Sequence, residues 1–421
     1  MPNYQLPITN YLSRIPPRPS LLATILAAAT LTATALPARA DWHLTTADLS
    51  HQSGFTINTW TPDAGLSITA AGGKLQTLPT RDVVLLADDR QASPATGPDI
   101  WRLRLRNGDL IFGQPQSMSG QSITIKTTDL GNVSLPLKAA VELLRWDGQP
   151  HRAPGPGHDQ DVVYLGNGDT RKGIVVGLTP EKLQIAMGAD NIQSSLDFSG
   201  IDSVAFGGVA APRGVPPLSL RITTTAGTAL TIPLDKPGNF SWSIPAISFA
   251  DPAGPDPHKI VPDRIVSLEV LGGRLVYLSD IDPAKDEQST FMGTSYPTRP
   301  NANVTGGPLR VAGTTYDRGL GVHTHSVLTY NLDGNFDTLT FRPAVDDSAG
   351  PQGEANLAVA IDGKIAWHAD NLKGLGPHAA APEQVSLPIK GAHTIELRAD
   401  SPGRMDVLGR VDWLDAALLR P

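Results

Sequence analysis

A group of histidines and carboxylates near the carboxyl-terminal end has the side chains that a polar ligand would need. His323 and His325 follow a Gly-Leu-Gly-Val run, and on a strand both side chains would project from one face. Asp346 and Asp347 are adjacent after an apolar strand pattern, and Glu354 lies in the loop that follows. These five side chains offer hydrogen-bond donors and acceptors, so they are candidate ligands for a polar molecule.

Each of these candidates also has a structural interpretation. His323 could cap a buried loop as readily as it could bind a hydroxyl. Neighbouring side chains on a strand diverge, so one of Asp346 and Asp347 could face a ligand or calcium while the other holds the loop. A zinc site at His323 and His325 would need a third ligand that the sequence does not nominate.

Two further residues extend the candidate site. Trp367 follows the Asp362-Gly363 turn and could offer a stacking face to a ligand, although a partly buried core position explains it equally well. Asp412, in the closing Asp-Trp-Leu-Asp run, is a candidate ligand for a structural calcium ion. No other cofactor is predicted.

The sequence offers few residues with the types and spacing of a catalytic site. Adjacent Asp346 and Asp347 cannot act as a glycosidase pair, which needs carboxyl groups about 5–10 Å apart on opposite sides of a cleft. The chain has no cysteine and no Gly-x-Ser-x-Gly motif. The sequence therefore predicts a protein that is not an enzyme.

The elements around these residues follow the alternation of a β-sandwich. Apolar and polar residues alternate in stretches such as Leu357–Ile361 and His393–Leu397, with turns at Asp333-Gly334, Asp362-Gly363 and Lys390-Gly391. Residues 280–421 are thus predicted to form one sandwich domain.

Several motifs in this segment resemble the NPCBM family, the "novel putative carbohydrate-binding module" that often accompanies glycoside hydrolases. They occur in the family's order at Leu309–His323, Tyr330–Phe336, Val345–Gly350, Val359–Lys364 and Val411–Ala416. The resemblance implies a jelly-roll sandwich of the galactose-binding type that binds galactose-type or related glycans. Sugars are bound in a shallow cleft by polar groups matched to their hydroxyls, often with an aromatic face. The resemblance therefore makes six residues candidate carbohydrate ligands: His323, His325, Asp346, Asp347, Glu354 and Trp367. Thr324-His325 and Arg342-Pro343-Ala344 depart from the family pattern and leave the sugar specificity open.

The preceding part of the chain is predicted to consist of four β repeats of roughly 60 residues. Two of them share an Asn-Gly-Asp turn, at Asn107-Gly108-Asp109 and Asn167-Gly168-Asp169, which is a strong hairpin signal. Their pattern resembles small SH3-like or Sm-like barrels packed on one another. The predicted domains are a signal peptide (1–40), repeats at 41–90, 99–148, 160–208 and 217–279, and the sandwich at 280–421.

The amino terminus is typical of a secretory signal. Arg14 and Arg18 precede an apolar run, and Ala38-Arg39-Ala40 offers a cleavage site, so export to the periplasm, cell surface or medium is expected without membrane insertion of the mature chain. Residues 1–40 hold three arginines and no acid, so their removal takes the net charge from −7 to −10. So acidic a protein is a poor ligand for nucleic acid.

The function expected from the sequence is that of an exported, non-catalytic carbohydrate-binding protein with its repeats as scaffold. Two alternatives stay open: a structural or assembly protein of the cell envelope whose sandwich binds protein or nothing, and an accessory part of a glycoside hydrolase. The oligomeric state is not predicted.

Overall fold

The computed structural model describes residues 41–151, 159–208, 213–250, 252–253, 257–289, 296–403 and 408–421. All regular structure in these ranges is β-strand or short 3-10 turn, which confirms the all-β prediction. No helix in the described ranges is long and apolar enough to cross a bilayer. The predicted signal peptide lies outside the described residues.

Together the first two predicted repeats contain eleven strands, and each repeat has one 3-10 turn. Repeat 1 holds β1 (Trp42–Thr46), β2 (His51–Gln52), β3 (Thr56–Thr61), β4 (Gly65–Thr69), β5 (Leu75–Leu78) and, after a 3-10 turn at Thr80–Asp82, β6 (Val83–Asp88). Repeat 2 holds β7 (Trp101–Leu105), β8 (Leu110–Met118), β9 (Ser122–Thr127), β10 (Gly131–Pro136) and, after a turn at Leu137–Ala139, β11 (Ala140–Arg145).

The third and fourth repeats follow the same plan. Repeat 3 holds β12 (Asp161–Leu165), β13 (Thr170–Leu178), β14 (Lys182–Met187), β15 (Ile192–Asp197), a turn at Phe198–Gly200 and β16 (Ile201–Ala205). Repeat 4 holds β17 (Ser219–Thr224), β18 (Ala229–Pro233), β19 (Phe240–Ser243), β20 (Ala246–Ala250), β21 (Pro257–Ile260), a turn at Pro262–Arg264 and β22 (Ile265–Leu271).

The pairing between strands joins the repeats to one another. In each repeat the first strand pairs with the last, as β7 does with β11. The last strands then pair between repeats, β11 with β16 and β22 with β6, so that one sheet contains 16 strands. A second sheet is shared by repeats 1 and 4 through β3 and β19. The predicted tandem barrels are therefore not confirmed, because hairpin signals specify pairing within a repeat but not between repeats.

The last part of the chain forms two packed sheets. Its elements are β23 (Leu275–Tyr277), a 3-10 turn at Leu278–Asp280, β24 (Lys285–Gln288), β25 (Arg299–Pro300), β26 (Leu309–Val311), β27 (Thr314–Tyr316), β28 (Gly319–His323), β29 (Ser326–Asn331), β30 (Thr338–Val345), a turn at Asp347–Ala349, β31 (Glu354–Ile361), β32 (Lys364–Lys373), β33 (Val385–Pro388), β34 (Thr394–Asp400) and β35 (Arg410–Leu419). One sheet has the order β25-β28-β35-β30-β33 with β23 also on β35, and the other has β24-β29-β34-β31-β32. Phe341, Trp413 and Tyr330 are buried between them, which confirms the predicted sandwich.

Candidate functional site

The far end of the sandwich collects most of the predicted site residues. β28 and β30 both pair antiparallel with β35, so their carboxyl ends lie at one end of the sheet: His323 pairs with Arg410, and Val345 with Val411. In the other sheet, Asn356 near the start of β31 pairs with Asp400 at the end of β34. We call this end the distal rim; it comprises Tyr296, His323, His325, Asp347, Glu354, Asp400 and Arg410.

The rim lies at the opposite end of β35 from the repeats. Leu419, the last residue of β35, pairs with Leu275 beside an apolar cluster that includes Ala47 and Val84 of repeat 1. Arg410 begins β35 at the rim. A ten-residue strand spans roughly 33 Å, so the rim and this contact with the repeats lie about that far apart.

The two histidines do not share a face, contrary to the expectation from their spacing. His323 ends β28 and is only 5% exposed, with Nδ1 3.3 Å from the Thr324 carbonyl oxygen. His325 has a left-handed φ of 63° in the turn to β29, and its half-exposed ring lies 3.5 Å from Asp400 Oδ1. The strand ends between the two residues, so the two-residue alternation on which the prediction depended is interrupted.

Both adjacent aspartates hold the loops beneath the rim. Asp346 is 1% exposed and accepts hydrogen bonds from Asn303 Nδ2 (3.1 Å), the Arg310 amide (3.1 Å) and the Ser348 amide (2.9 Å). Asp347 accepts two bonds of 2.9 Å from the Ala312 and Gly313 amides at the turn between β26 and β27. Asp346 can therefore position the rim but has no free face for a ligand.

Asp412 is fully buried next to Asp346. Neither of its carboxylate oxygens has a donor among the described residues. Burial, and then the neighbouring charge of Asp346, raise the pKa of Asp412 to about 10. Two neighbouring buried carboxyl groups cannot both be ionised at low cost, so the raised pKa favours the neutral form of Asp412 at neutral pH.

The pair also bears on the predicted calcium site. Calcium needs six to eight oxygen ligands, and three donors already bind the oxygens of Asp346. Within the part of the chain that the structure describes, no three His, Asp or Glu side chains converge on a metal position. Calcium binding by Asp412 stays a prediction, and a shared proton explains the pair without it.

Glu354 and Trp367 occupy different parts of β31 and β32. Glu354 is exposed at the rim, where it lies opposite Lys373 of β32 in the strand register. Trp367 pairs with Val359, five residues further along β31, which is roughly 17 Å from the rim. Its ring packs against the Phe341 ring, with the two centroids 5.1 Å apart, as expected of a partly buried aromatic at the edge of the core.

Tyr296 is the aromatic residue at the rim that the sequence analysis missed. It is 36% exposed, and its ring stacks on the His323 ring with centroids 4.5 Å apart and planes 14° apart. Tyr296 lies in a Gly-Thr-Ser-Tyr-Pro-Thr run outside the family motifs. A lone aromatic among turn residues was the available signal.

Three cavities lined by described residues lie elsewhere. They measure about 400, 410 and 260 Å³, and their walls come mainly from the repeats, with Asp280 and Arg274 contributed by the junction with the sandwich. No residue of the distal rim lines any of these three.

Comparison with known proteins identifies the sandwich. Residues 274–419 match the model of the NPCBM/NEW2 domain, so this part of the chain is an NPCBM domain, as the motifs indicated. A Renibacterium salmoninarum protein named "Putative endo-alpha-N-acetylgalactosaminidase" is 24% identical over 262 residues, which are 56% of this chain and 17% of that protein. The chain thus spans about a sixth of the length of this curated relative.

Solved structures similar to this chain include two CBM51 modules from Clostridium perfringens. One is the CBM51 of a GH95 enzyme in complex with methyl-galactose, at 22% identity and a TM-score of 0.30, covering 34% of this chain and 99% of the module. The other is CBM51-2 of ZmpB with its INT domains in complex with GlcNAc, at 19% identity and a TM-score of 0.31, covering 42% of this chain and 36% of that structure.

Proposed function

We propose that this protein is an exported, non-catalytic carbohydrate-binding protein. Its NPCBM domain binds galactose-type or related glycans at the distal rim, and the four repeats serve as a scaffold. The membership of residues 274–419 in this family supports glycan binding. The observation that carries the choice of surface is the direction of β35. Its last residue, Leu419, lies at the end next to the repeats, and its first residue, Arg410, lies at the rim.

The rim has the chemistry that a sugar requires. His325 and Asp400 offer a donor and acceptor pair at a half-exposed position, and Glu354 adds an exposed carboxylate. Asp346 and Asp347 hold the neighbouring loops at Asn303 and at the Ala312-Gly313 turn, so part of the rim is fixed before a ligand arrives. Pre-positioned polar groups lower the entropy cost of binding a hydroxylated ligand.

The test is calorimetric titration of residues 41–421 with galactose- and N-acetylgalactosamine-terminated oligosaccharides, with glucose-terminated ones in parallel. We expect binding of the first group and weaker binding of the second. His325→Ala should weaken it about 3- to 10-fold, which corresponds to one lost hydrogen bond.

The matched control is His368→Ala. His368 also lies beside an aspartate, Asp370 at 3.9 Å, but sits on β32 away from the rim. Equal losses for the two variants would contradict the choice of surface. A lack of affinity for every glycan offered would favour the structural or assembly role instead.

A hydrolase role has one specific observation in its favour, the name of the Renibacterium relative. Because this chain spans only 17% of that protein, the shared segment need not include its catalytic part. Release of nitrophenol from aryl α-N-acetylgalactosaminides by the purified chain would support hydrolysis over binding alone.

A further inference from the structure

Tyr296 is held in a defined orientation by its neighbours. His323 lies beneath its ring in a nearly parallel stack, and His323 is itself buried at the end of β28. Two residues after Tyr296, the Thr298 hydroxyl accepts a 2.8 Å bond from Gln288 Nε2 at the end of β24. Arg299 then pairs with Gly321 of β28.

The same neighbours connect Tyr296 to the polar groups of the rim. The Ser289 amide, next to Gln288, donates a 2.9 Å bond to the His325 carbonyl oxygen. His325 in turn faces Asp400. One partly exposed aromatic ring thus lies in the same loop cluster as a donor and acceptor pair.

This combination is the one that a pyranose requires. The C–H groups on one face of a sugar ring pack on an aromatic face, while the hydroxyls at its edge need hydrogen-bond partners. Tyrosine offers rigid, amphipathic contact area with little rotamer entropy to lose. A ring already stacked on a buried neighbour loses still less of this entropy.

Trp367 is poorly placed for this role. Its edge contacts Phe341 at 5.1 Å and Trp413 at 6.4 Å, so the ring belongs to the core. It also lies well inside β32 rather than at a strand end.

We propose that Tyr296, oriented by His323, is the aromatic surface on which the sugar ring of the ligand stacks. The proposal rests on the proposed function and names the residue that would supply its apolar contact. In it His323 is a positioning residue, since it reaches the ligand through Tyr296, and Trp367 contributes to folding only.

The test compares Tyr296→Ala, Tyr296→Phe and Trp367→Phe with the wild-type chain by calorimetric titration of a galactose-terminated oligosaccharide. Tyr296→Ala should bind about tenfold or more weakly, and Tyr296→Phe, which keeps the ring, within about threefold of wild type. Trp367→Phe should leave affinity unchanged and lower the midpoint of urea unfolding. Far-UV circular dichroism and the same midpoint establish that Tyr296→Ala is folded.

A second readout reports on stacking itself. In Tyr296→Trp, addition of the oligosaccharide should change the fluorescence of the new indole beyond any change in wild type. Wild-type binding that Tyr296→Ala leaves intact would overturn this proposal alone. Failure of the wild-type chain to bind any glycan would overturn the proposed function and this proposal together.

Discussion

At the scale of single residues, the buried pair of Asp346 and Asp412 makes the sandwich sensitive to pH. Asp346 is stabilised as a carboxylate by three donors, whereas the Asp412 oxygens have no donor among the described residues and lie near the charges of Asp346 and Asp347. The folded chain therefore keeps a proton on Asp412 that the unfolded chain releases above a pH of about 4. Stability must fall as pH rises from there towards the folded pKa of about 10.

Asp412→Asn should remove this dependence. The amide donates to Asp346 as the protonated carboxyl does, but needs no proton. We expect the variant to be nearly as stable as wild type at pH 4 and to gain up to about 1.4 kcal/mol on it for each pH unit above that. Urea unfolding at pH 4, 6 and 8 measures this. Asp370→Asn, at an exposed position, is the control, and an unchanged pH slope in Asp412→Asn would show that the pair does not share a proton.

At the scale of elements, one turn sequence serves two different purposes. In repeat 2, Asp109 is 1% exposed and accepts bonds from the Thr231 amide (2.7 Å) and hydroxyl (2.6 Å) of β18 in repeat 4, with Arg221 at 3.3 Å. In both turns the aspartate amide donates a hydrogen bond to the side chain of its own asparagine, Asn107 or Asn167. In repeat 3, however, the Asp169 side chain is exposed. The local turn is the same, and only the neighbouring strand differs.

Alanine substitutions at Asp109 and Asp169 distinguish the contribution of the turn to stability from that of the contact between repeats. Asp109→Ala should cost about 2–4 kcal/mol of unfolding free energy, because it leaves the Thr231 amide without its acceptor and removes one of the two carboxylates that Arg221 contacts. Asp169→Ala, the matched control, should cost less than about 0.5 kcal/mol. Equal costs in urea unfolding would mean that the contact between repeats 2 and 4 adds no stability.

At the scale of the whole molecule, a partly buried charge network joins the repeats to the sandwich. Arg318, beside β28, contacts Glu269 of β22 and donates to Asp280 Oδ1 at 2.9 Å, and its guanidinium lies 5.0 Å from the centre of the Tyr277 ring. Burial, and then the nearby Arg221, lower the pKa of Arg318 to about 10, so it stays charged at neutral pH. Ser279-Asp280, at the predicted start of the sandwich, is thus a buried junction.

Arg318→Ala should weaken this junction. It removes the cation that the partly buried Glu269 and Asp280 share and leaves Glu269 only Arg221, at 3.5 Å, at a cost of about 2 kcal/mol. We expect the repeats and sandwich to unfold in separate calorimetric transitions and trypsin to cut faster at Arg274. Arg398→Ala, which breaks the partly exposed pair with Glu396, is the control. A single transition like that of wild type would show that Arg318 does not couple the two parts.

The sequence by itself determined the features that depend on short stretches of chain. Alternating apolar residues and turns such as Asp362-Gly363 specify strands and hairpins locally, and the ordered motifs from Leu309 to Ala416 identified the family of the sandwich. These signals also placed His323 and Asp346 next to strand ends and Glu354 in the loop that follows. In the structure Glu354 is instead the first residue of β31, and all three lie at one end of the sandwich.

Only the tertiary structure decided which of those residues a ligand could reach. Burial depends on contacts between distant segments. Asn303 Nδ2 and the Arg310 amide donate hydrogen bonds to Asp346, and the rings of Phe341 and Trp367 pack in a T-shaped contact. The stacking of Tyr296 on His323 and the joining of four repeats into one sheet arise in the same way. Such contacts form across long loops, and a local pattern of residue types carries no information about which distant partner each residue will meet.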